Sequence, residues 1–201
     1  MNAMDYSNFL VMKEELSLVA VMVILLLYDV FGSKKSLRYF QPVACILFAV
    51  HTLLHVVPSV ANESFGGMYQ YTPMIGVLKT ILNIGTLIVL MQASEWLRSE
   101  STIHKRGEFV FLLLTTLLGM YFMVSAGNFM FFYIGLETAS IPLATLVAFD
   151  KFKSKSAEAG AKYILNAVFA SGLSLYGLSL IYGTTGTLYF EDIPAAITGA
   201  P

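Results

Sequence analysis

Apolar residues in this chain neither alternate with polar ones nor confine themselves to one helical stripe. They run on, in six long stretches separated by short polar segments. The stretches extend from about Leu16 to Phe31, Pro42 to Val60, Thr72 to Leu90, Phe109 to Ala126, Phe129 to Phe149, and Tyr163 to Tyr182. Inside an all-apolar run periodicity cannot separate helix from strand, so length decides. A helix crossing a bilayer needs about 20 mainly apolar residues. Barrel strands are about half that long and alternate in polarity. Helices also satisfy their own backbone hydrogen bonds, which lipid requires. The pattern predicts an all-α, polytopic membrane protein with about six transmembrane helices.

Composition supports this reading. Of the 201 residues 57% are hydrophobic and 12% are charged, against about 45–50% and about 25% in soluble domains. Disorder is excluded by the amount of apolar surface available for burial. Twelve Lys and Arg face 13 Asp and Glu, a net charge of −1 that excludes a basic nucleic-acid binder. The lone Cys45 cannot form an internal disulfide or, by itself, a metal centre. Asp5, Glu14 and Glu15 precede the first apolar run, and no small-residue cleavage site follows it, so that run is expected to be a retained helix.

Charge patterning gives orientation. Lys34, Lys35 and Arg38 lie between the first and second runs, Arg98, Lys105 and Arg106 between the third and fourth, and Lys151, Lys153, Lys155 and Lys162 around the start of the sixth. The alternate connections contain no base: Glu63 between the second and third, Ser125-Ala-Gly-Asn128 between the fourth and fifth, and Glu191 and Asp192 after the sixth. The positive-inside rule then places the N-terminus outside and the basic loops in the cytoplasm.

Ionisable groups at membrane depth cost about 2.5–3.5 kcal/mol on insertion scales and mark functional candidates. Glu137 is the clearest, with apolar residues for about two turns on either side. Tyr133 and Ser140 share its helix face, and Pro142 leaves the Thr138 carbonyl without its helical donor. Such a polar patch suits a carboxylate that loads and releases a proton. Lys79, in the third run, is either a snorkelling residue or a counter-charge in a polar core. His51 and His55 share a face at i, i+4. They can pass protons or bind a metal, but no third ligand is evident, and hydrogen-bonded packing histidines are the simpler reading. Glu158 and Lys162 make an i, i+4 interfacial pair, and Glu108 precedes the fourth run; neither stands out by chemistry alone. Ala167, Ala170, Ser174 and Gly177 form a small-residue face suited to close helix packing. No phosphate-binding loop or nucleophile–base arrangement is present.

The stretch Gly107-Glu-Phe-Val-Phe-Leu-Leu-Leu114, then Gly119-Met120 and Gly135-Leu-Glu-Thr-Ala-Ser-Ile-Pro-Leu143, resembles subunit N of bacterial respiratory complex I, the proton-translocating NADH:quinone oxidoreductase. Glu158-Ala-Gly-Ala-Lys-Tyr163, Ser171, Leu175-Tyr-Gly177, Ser179, Tyr182-Gly183 and Gly186 favour subunit N over subunits L and M, although Asn166 stands where glycine is expected. The resemblance is specific from about Glu108 to Gly186. It implies part of an antiporter-like inverted-repeat fold, with Glu137 as the fifth-helix proton carrier, paired in the family with a seventh-helix lysine. It also implies relay roles for Lys162 and Glu108, which join Lys79 as site candidates. Residues 1–106 are then an N-terminal three-helix membrane segment, 107–187 the start of the proton-translocation repeat, and 188–201 a short tail. Family members are about twice as long, so a fragment or split subunit is expected.

The resemblance implies a multi-pass subunit of the bacterial inner membrane, part of a translocase and without a redox site of its own. NADH, flavin, iron–sulfur clusters and quinone are expected in partner subunits, with L-, M-, K-, A-, J- and H-type membrane subunits as neighbours. The alternatives are a subunit of a related cation/proton antiporter complex, or an assembly scaffold whose polar residues serve helix packing.

Overall fold

The computed structural model describes residues 7–32, 39–99, 102, 105–150 and 153–198. Lys34, Lys35, Arg38 and Lys151 lie outside the described residues. The described elements are α1 (Ser7–Val11), α2 (Lys13–Phe31), α3 (Phe40–Leu54), β1 (Asn62–Ser64), β2 (Tyr69–Tyr71), α4 (Pro73–Trp96), α5 (Arg106–Val124), α6 (Phe129–Val147), α7 (Ser154–Thr185) and α8 (Ile193–Thr198). The chain is thus an all-α membrane bundle with one small hairpin. Helices α4, α5, α6 and α7 are each long and apolar enough to cross a membrane. The 19 residues of α2 include two buried glutamates at its start.

Two boundaries differ from the sequence reading. The second run ends as helix at Leu54 rather than Val60, because Pro58 approaches and the chain turns into the antiparallel β1–β2 hairpin. The sixth helix begins at Ser154, nine residues before the apolar run, since Ser154-Lys-Ser-Ala-Glu-Ala-Gly-Ala-Lys162 contains good helix formers and no proline. Local caps fix other starts. Thr72 accepts a hydrogen bond from the Ile75 N–H ahead of Pro73, and Asn128 accepts one from Phe131.

The central core is shared by α2, α3, α4 and α5. Leu18, Val21, Met22, Leu25, Phe40, Ala44, Phe48, Leu90, Val110, Leu114, Leu117 and Tyr121 are buried together there. Helix α6 packs on α5 as an antiparallel partner, and α7 packs on α6. Many outward-facing side chains are apolar, with Leu53 72% and Phe169 70% exposed, as expected where lipid is the solvent.

The connections sort to two ends as the charge pattern predicts. At the base-free end, Gln70 donates its N–H to Ser125 (2.8 Å), Gly127 to Met68 (2.8 Å), Phe129 to Leu188 (3.0 Å) and Phe190 to Gly127 (3.1 Å). The hairpin, the 125–128 turn and the 187–190 segment therefore form one hydrogen-bonded platform. At the opposite end Trp96, Phe109 and Phe149 pack ring on ring, with Lys105 Nζ 5.8 Å from the Phe149 ring centre. Cationic and aromatic groups gather at that end, as at a membrane interface.

The α5–α6 contact depends on two glycines. A Cβ on Gly119 would lie 2.3 Å from the Ala139 backbone nitrogen, and one on Gly135 would lie 2.7 Å from that of Met123. The helices touch backbone to backbone, the arrangement that small residues permit in membranes. The stripe Ala167, Ala170, Ser174 and Gly177 makes no such contact: Ala170 and Ser174 are exposed, and a Cβ on Gly177 would meet nothing within 4 Å. Gly119→Leu or Gly135→Leu is expected to destabilise the subunit by about 1–3 kcal/mol through overpacking. Gly85→Ala, at an α4 position with no neighbour within 4 Å, is expected to be neutral or stabilising by up to about 1 kcal/mol. Thermal unfolding of the detergent-solubilised protein checks both.

Candidate functional site

Glu137 lies midway along α6 and is half-buried against α7. Its carboxylate accepts a hydrogen bond from Ser171 of α7. Tyr133, one turn before Glu137, has its hydroxyl 2.6 Å from the same Ser171 oxygen. With the serine proton directed at Glu137, Tyr133 donates to Ser171. The three groups form a hydroxyl line ending on the carboxylate. This differs from the patch expected on α6 alone. Ser140 instead donates to the Leu136 carbonyl at 2.7 Å, a common fate of helix serines, so the hydroxyl on Glu137 comes from the neighbouring helix. Beside it, α6 and α7 enclose a groove of about 480 Å³ lined by Ser140, Asn166, Ser171 and Ser174 among others.

Lys79 is 1% exposed, within a polar core rather than snorkelling. Its ammonium lies 2.6 Å from Glu15 Oε1 and 3.6 Å from Glu14 Oε2. It also donates to the Tyr69 hydroxyl at 3.1 Å. The ring centres of Tyr69, Tyr71 and Tyr121 stand 5.3, 5.4 and 5.1 Å from the ammonium, within cation–π range. Tyr69 donates to Glu15, and Tyr71 donates to Glu14 at 3.0 Å. In the hairpin, burial, the larger effect, and the neighbouring glutamates push both phenols above the ordinary tyrosine range, so they act as neutral donors.

The helices explain this convergence. Glu14 and Glu15 open α2, Lys79 lies near the start of α4, which runs in the same direction, and the hairpin covers both starts. His51 continues the network: its Nδ1 lies 3.0 Å from Ser17 Oγ and its Nε2 lies 3.4 Å from the Tyr121 hydroxyl. Tyr121 in turn donates to Asn83 Oδ1 at 2.6 Å. The His55 ring stands 4.9 Å from that of His51, with Nδ1 2.8 Å from the His51 carbonyl oxygen. The histidines are packed and hydrogen-bonded within this network.

Lys162 sits on the exposed first turns of α7, paired with Glu158 at 2.5 Å. Glu108 is exposed in the first turn of α5, where a negative charge suits the helix N-terminus. Among the described residues, no hydrogen bond or ion pair joins any two of Glu137, Lys79, Lys162 and Glu108. The sequence reading missed Glu14 and Glu15, which precede the first apolar run yet are 3% and 2% exposed. Two adjacent carboxylates opening an apolar helix were the available signal.

Removing one member of a buried ion pair costs about 3–5 kcal/mol, because the remaining charge is left uncompensated. Lys79→Met is therefore expected to destabilise the subunit by about that amount, measured by thermal unfolding in detergent. Adding Glu15→Gln to Lys79→Met is expected to recover part of the loss. A Lys79→Met protein of unchanged stability contradicts the pairing.

Comparison with known proteins places this arrangement. A family model described as NADH:quinone oxidoreductase/Mrp antiporter, TM matches residues 126–200. NADH-quinone oxidoreductase subunit N of Phocaeicola vulgatus is 56% identical over 98% of this chain and 42% of its own length. The subunit N of Azobacteroides pseudotrichonymphae is 48% identical over the same shares. The chain thus spans about two fifths of the length of these relatives. Its fold matches a chain of respiratory complex I from Thermus thermophilus with bound aureothin, with a TM-score of 0.67 and 24% identity over 94% of this chain and 39% of that one. It also matches a chain of the membrane-bound sulfane sulfur reductase, an archaeal respiratory membrane complex, with a TM-score of 0.64 and 18% identity over 90% and 38%. With relatives this similar across nearly all its residues, the chain matches the N-terminal part of NADH-quinone oxidoreductase subunit N, an antiporter-like membrane subunit.

Proposed function

We propose that this chain serves in the membrane arm of a proton-translocating NADH:quinone oxidoreductase, with Glu137 as its proton carrier. The observation that carries the reading is the line Tyr133–Ser171–Glu137 beside the groove between α6 and α7, whose lining mixes serines and Asn166 with apolar side chains. A carboxylate at mid-helix depth, contacted by the Ser171 hydroxyl, which in turn meets the Tyr133 hydroxyl, can take up and release a proton without crossing bare hydrocarbon. The resemblance supplies the other half of the step: a lysine on a following helix, whose approach favours the ionised carboxylate and whose withdrawal favours the protonated one.

In this reading the base-free platform faces the outside of a bacterial inner membrane and the Lys105 end faces the cytoplasm. We assign to Lys162 and Glu108, near the starts of α7 and α5, the passage of protons between the cytoplasmic surface and Glu137, as the resemblance implies. Electron transfer from NADH through flavin and iron–sulfur clusters to quinone belongs to partner subunits. L-, M-, K-, A-, J- and H-type membrane subunits are its proposed neighbours.

Inverted membrane vesicles test the role of Glu137. In Glu137→Gln, NADH-driven proton uptake is expected to fall by about tenfold or more, with flavin and iron–sulfur content of the complex unchanged. Normal pumping in that variant contradicts the assignment. A second reading, a subunit of a cation/proton antiporter complex without redox partners, is supported by the matching family description, which names both classes. Flavin and iron–sulfur subunits co-purifying with the protein favour the oxidoreductase; their absence favours the antiporter.

A further inference from the structure

The cluster of Glu14, Glu15 and Lys79 is separate from the Glu137 line and has chemistry of its own. Two carboxylates face one ammonium, and all three side chains are 1–4% exposed. Fully ionised, the cluster has one negative charge more than its cation balances. No other Lys or Arg makes a described ion pair with it. A surplus charge at this burial is strongly disfavoured, and one additional proton shared within the cluster removes it.

The two carboxylates are not equivalent. Glu15 contacts the ammonium directly and accepts both contacts from Tyr69. Glu14 is 3.6 Å from the ammonium and has Tyr71 as its hydroxyl partner. Tyr71 leads outward. It lines a cavity of about 200 Å³ at the hairpin end, together with Lys13, Ser59 and Asn62 among others. The Tyr71 hydroxyl donates to the Glu14 carboxylate and accepts from the Ser59 N–H at 3.2 Å, and both Tyr71 and Ser59 line this cavity, which is large enough for several waters.

We propose that this cluster is a second proton-exchanging site of the protein, loaded at Glu14 through Tyr71 from the hairpin face. The exchange balances in one concerted step. The Tyr71 hydroxyl gives its proton to the Glu14 carboxylate, forming the acid, and takes one from a hydronium ion that enters the cavity from the outer solution, leaving water. The reverse step returns the proton. Tyr71 is never ionised, which its burial disfavours. Other titratable groups around the site are Lys13 and Glu15 on α2, His51 and His55 on α3, Tyr69 in the hairpin, Lys79 on α4 and Tyr121 on α5. The proton therefore belongs to a coupled set, with Glu14 its entry point. The site does not depend on Glu137 as carrier, and its test reads no pumping, so either assignment can fail alone.

Infrared difference spectroscopy of the subunit in its intact membrane complex tests the proposal. At about pH 7 the original protein is expected to show a carboxylic-acid band, shifting in deuterated water, that is missing from Glu14→Gln. In Tyr71→Phe the band is expected to remain, while its deuterium exchange slows by about tenfold or more. A purely structural cluster has no exchangeable acid to lose. An unchanged band in Glu14→Gln overturns the proposal, and so does exchange in Tyr71→Phe at the original rate. Tyr71→Phe keeps the ring that packs against Lys79, so it decides the question even where Glu14→Gln fails to assemble.

Discussion

Burying an ammonium in a bundle surrounded by hydrocarbon is tolerable only with compensating charge at contact distance. Lys79 imposes that constraint on the first half of this chain. It fixes the start of α2 against α4, because Glu14 and Glu15 must reach it. It holds the hairpin down, because Tyr69 and Tyr71 complete the hydrogen bonds of those carboxylates. It also draws in α5 through the Tyr121 ring, which stands against the ammonium and hydrogen-bonds to Asn83. The apolar core beneath is made by the same four helices. The polar cluster sets their register at one end, and the core fills the space between them.

The second half is assembled differently. Helices α5 and α6 meet backbone to backbone at Gly119 and Gly135, while α7 meets α6 mainly through side chains. Close packing on one side of α6 and a groove of mixed lining on the other leave Glu137 half-buried, touched by Ser171 yet next to open space. The proton-carrying role proposed for Glu137 needs that compromise. Full burial against fixed partners would lock one protonation state, and full exposure would leak.

The sequence disclosed what depends on local pattern. Six runs were legible from length, their two-ended arrangement from the alternation of basic and base-free loops, and Glu137 from its isolation among apolar residues. What depends on tertiary approach was not legible. Glu14 and Glu15 read as charges ahead of a helix because nothing in their own segment shows that Lys79 meets them. Ser171 could be quoted as a motif residue, but its contact with Glu137 exists only once α7 lies on α6. The hairpin escaped because its strands are three residues each, too short for alternation to register. The turn residues Gly66 and Gly67, with positive φ alongside Phe65, were its only local sign.

The most direct measurement is an experimental density map of the subunit within its membrane complex, at a resolution that separates side chains. The account predicts the Lys79 ammonium within about 4 Å of a carboxylate oxygen from Glu14 or Glu15, with the Tyr69 and Tyr71 hydroxyls on those carboxylates. A map with Glu14 and Glu15 turned out into the headgroup region, and Lys79 paired elsewhere, would contradict it.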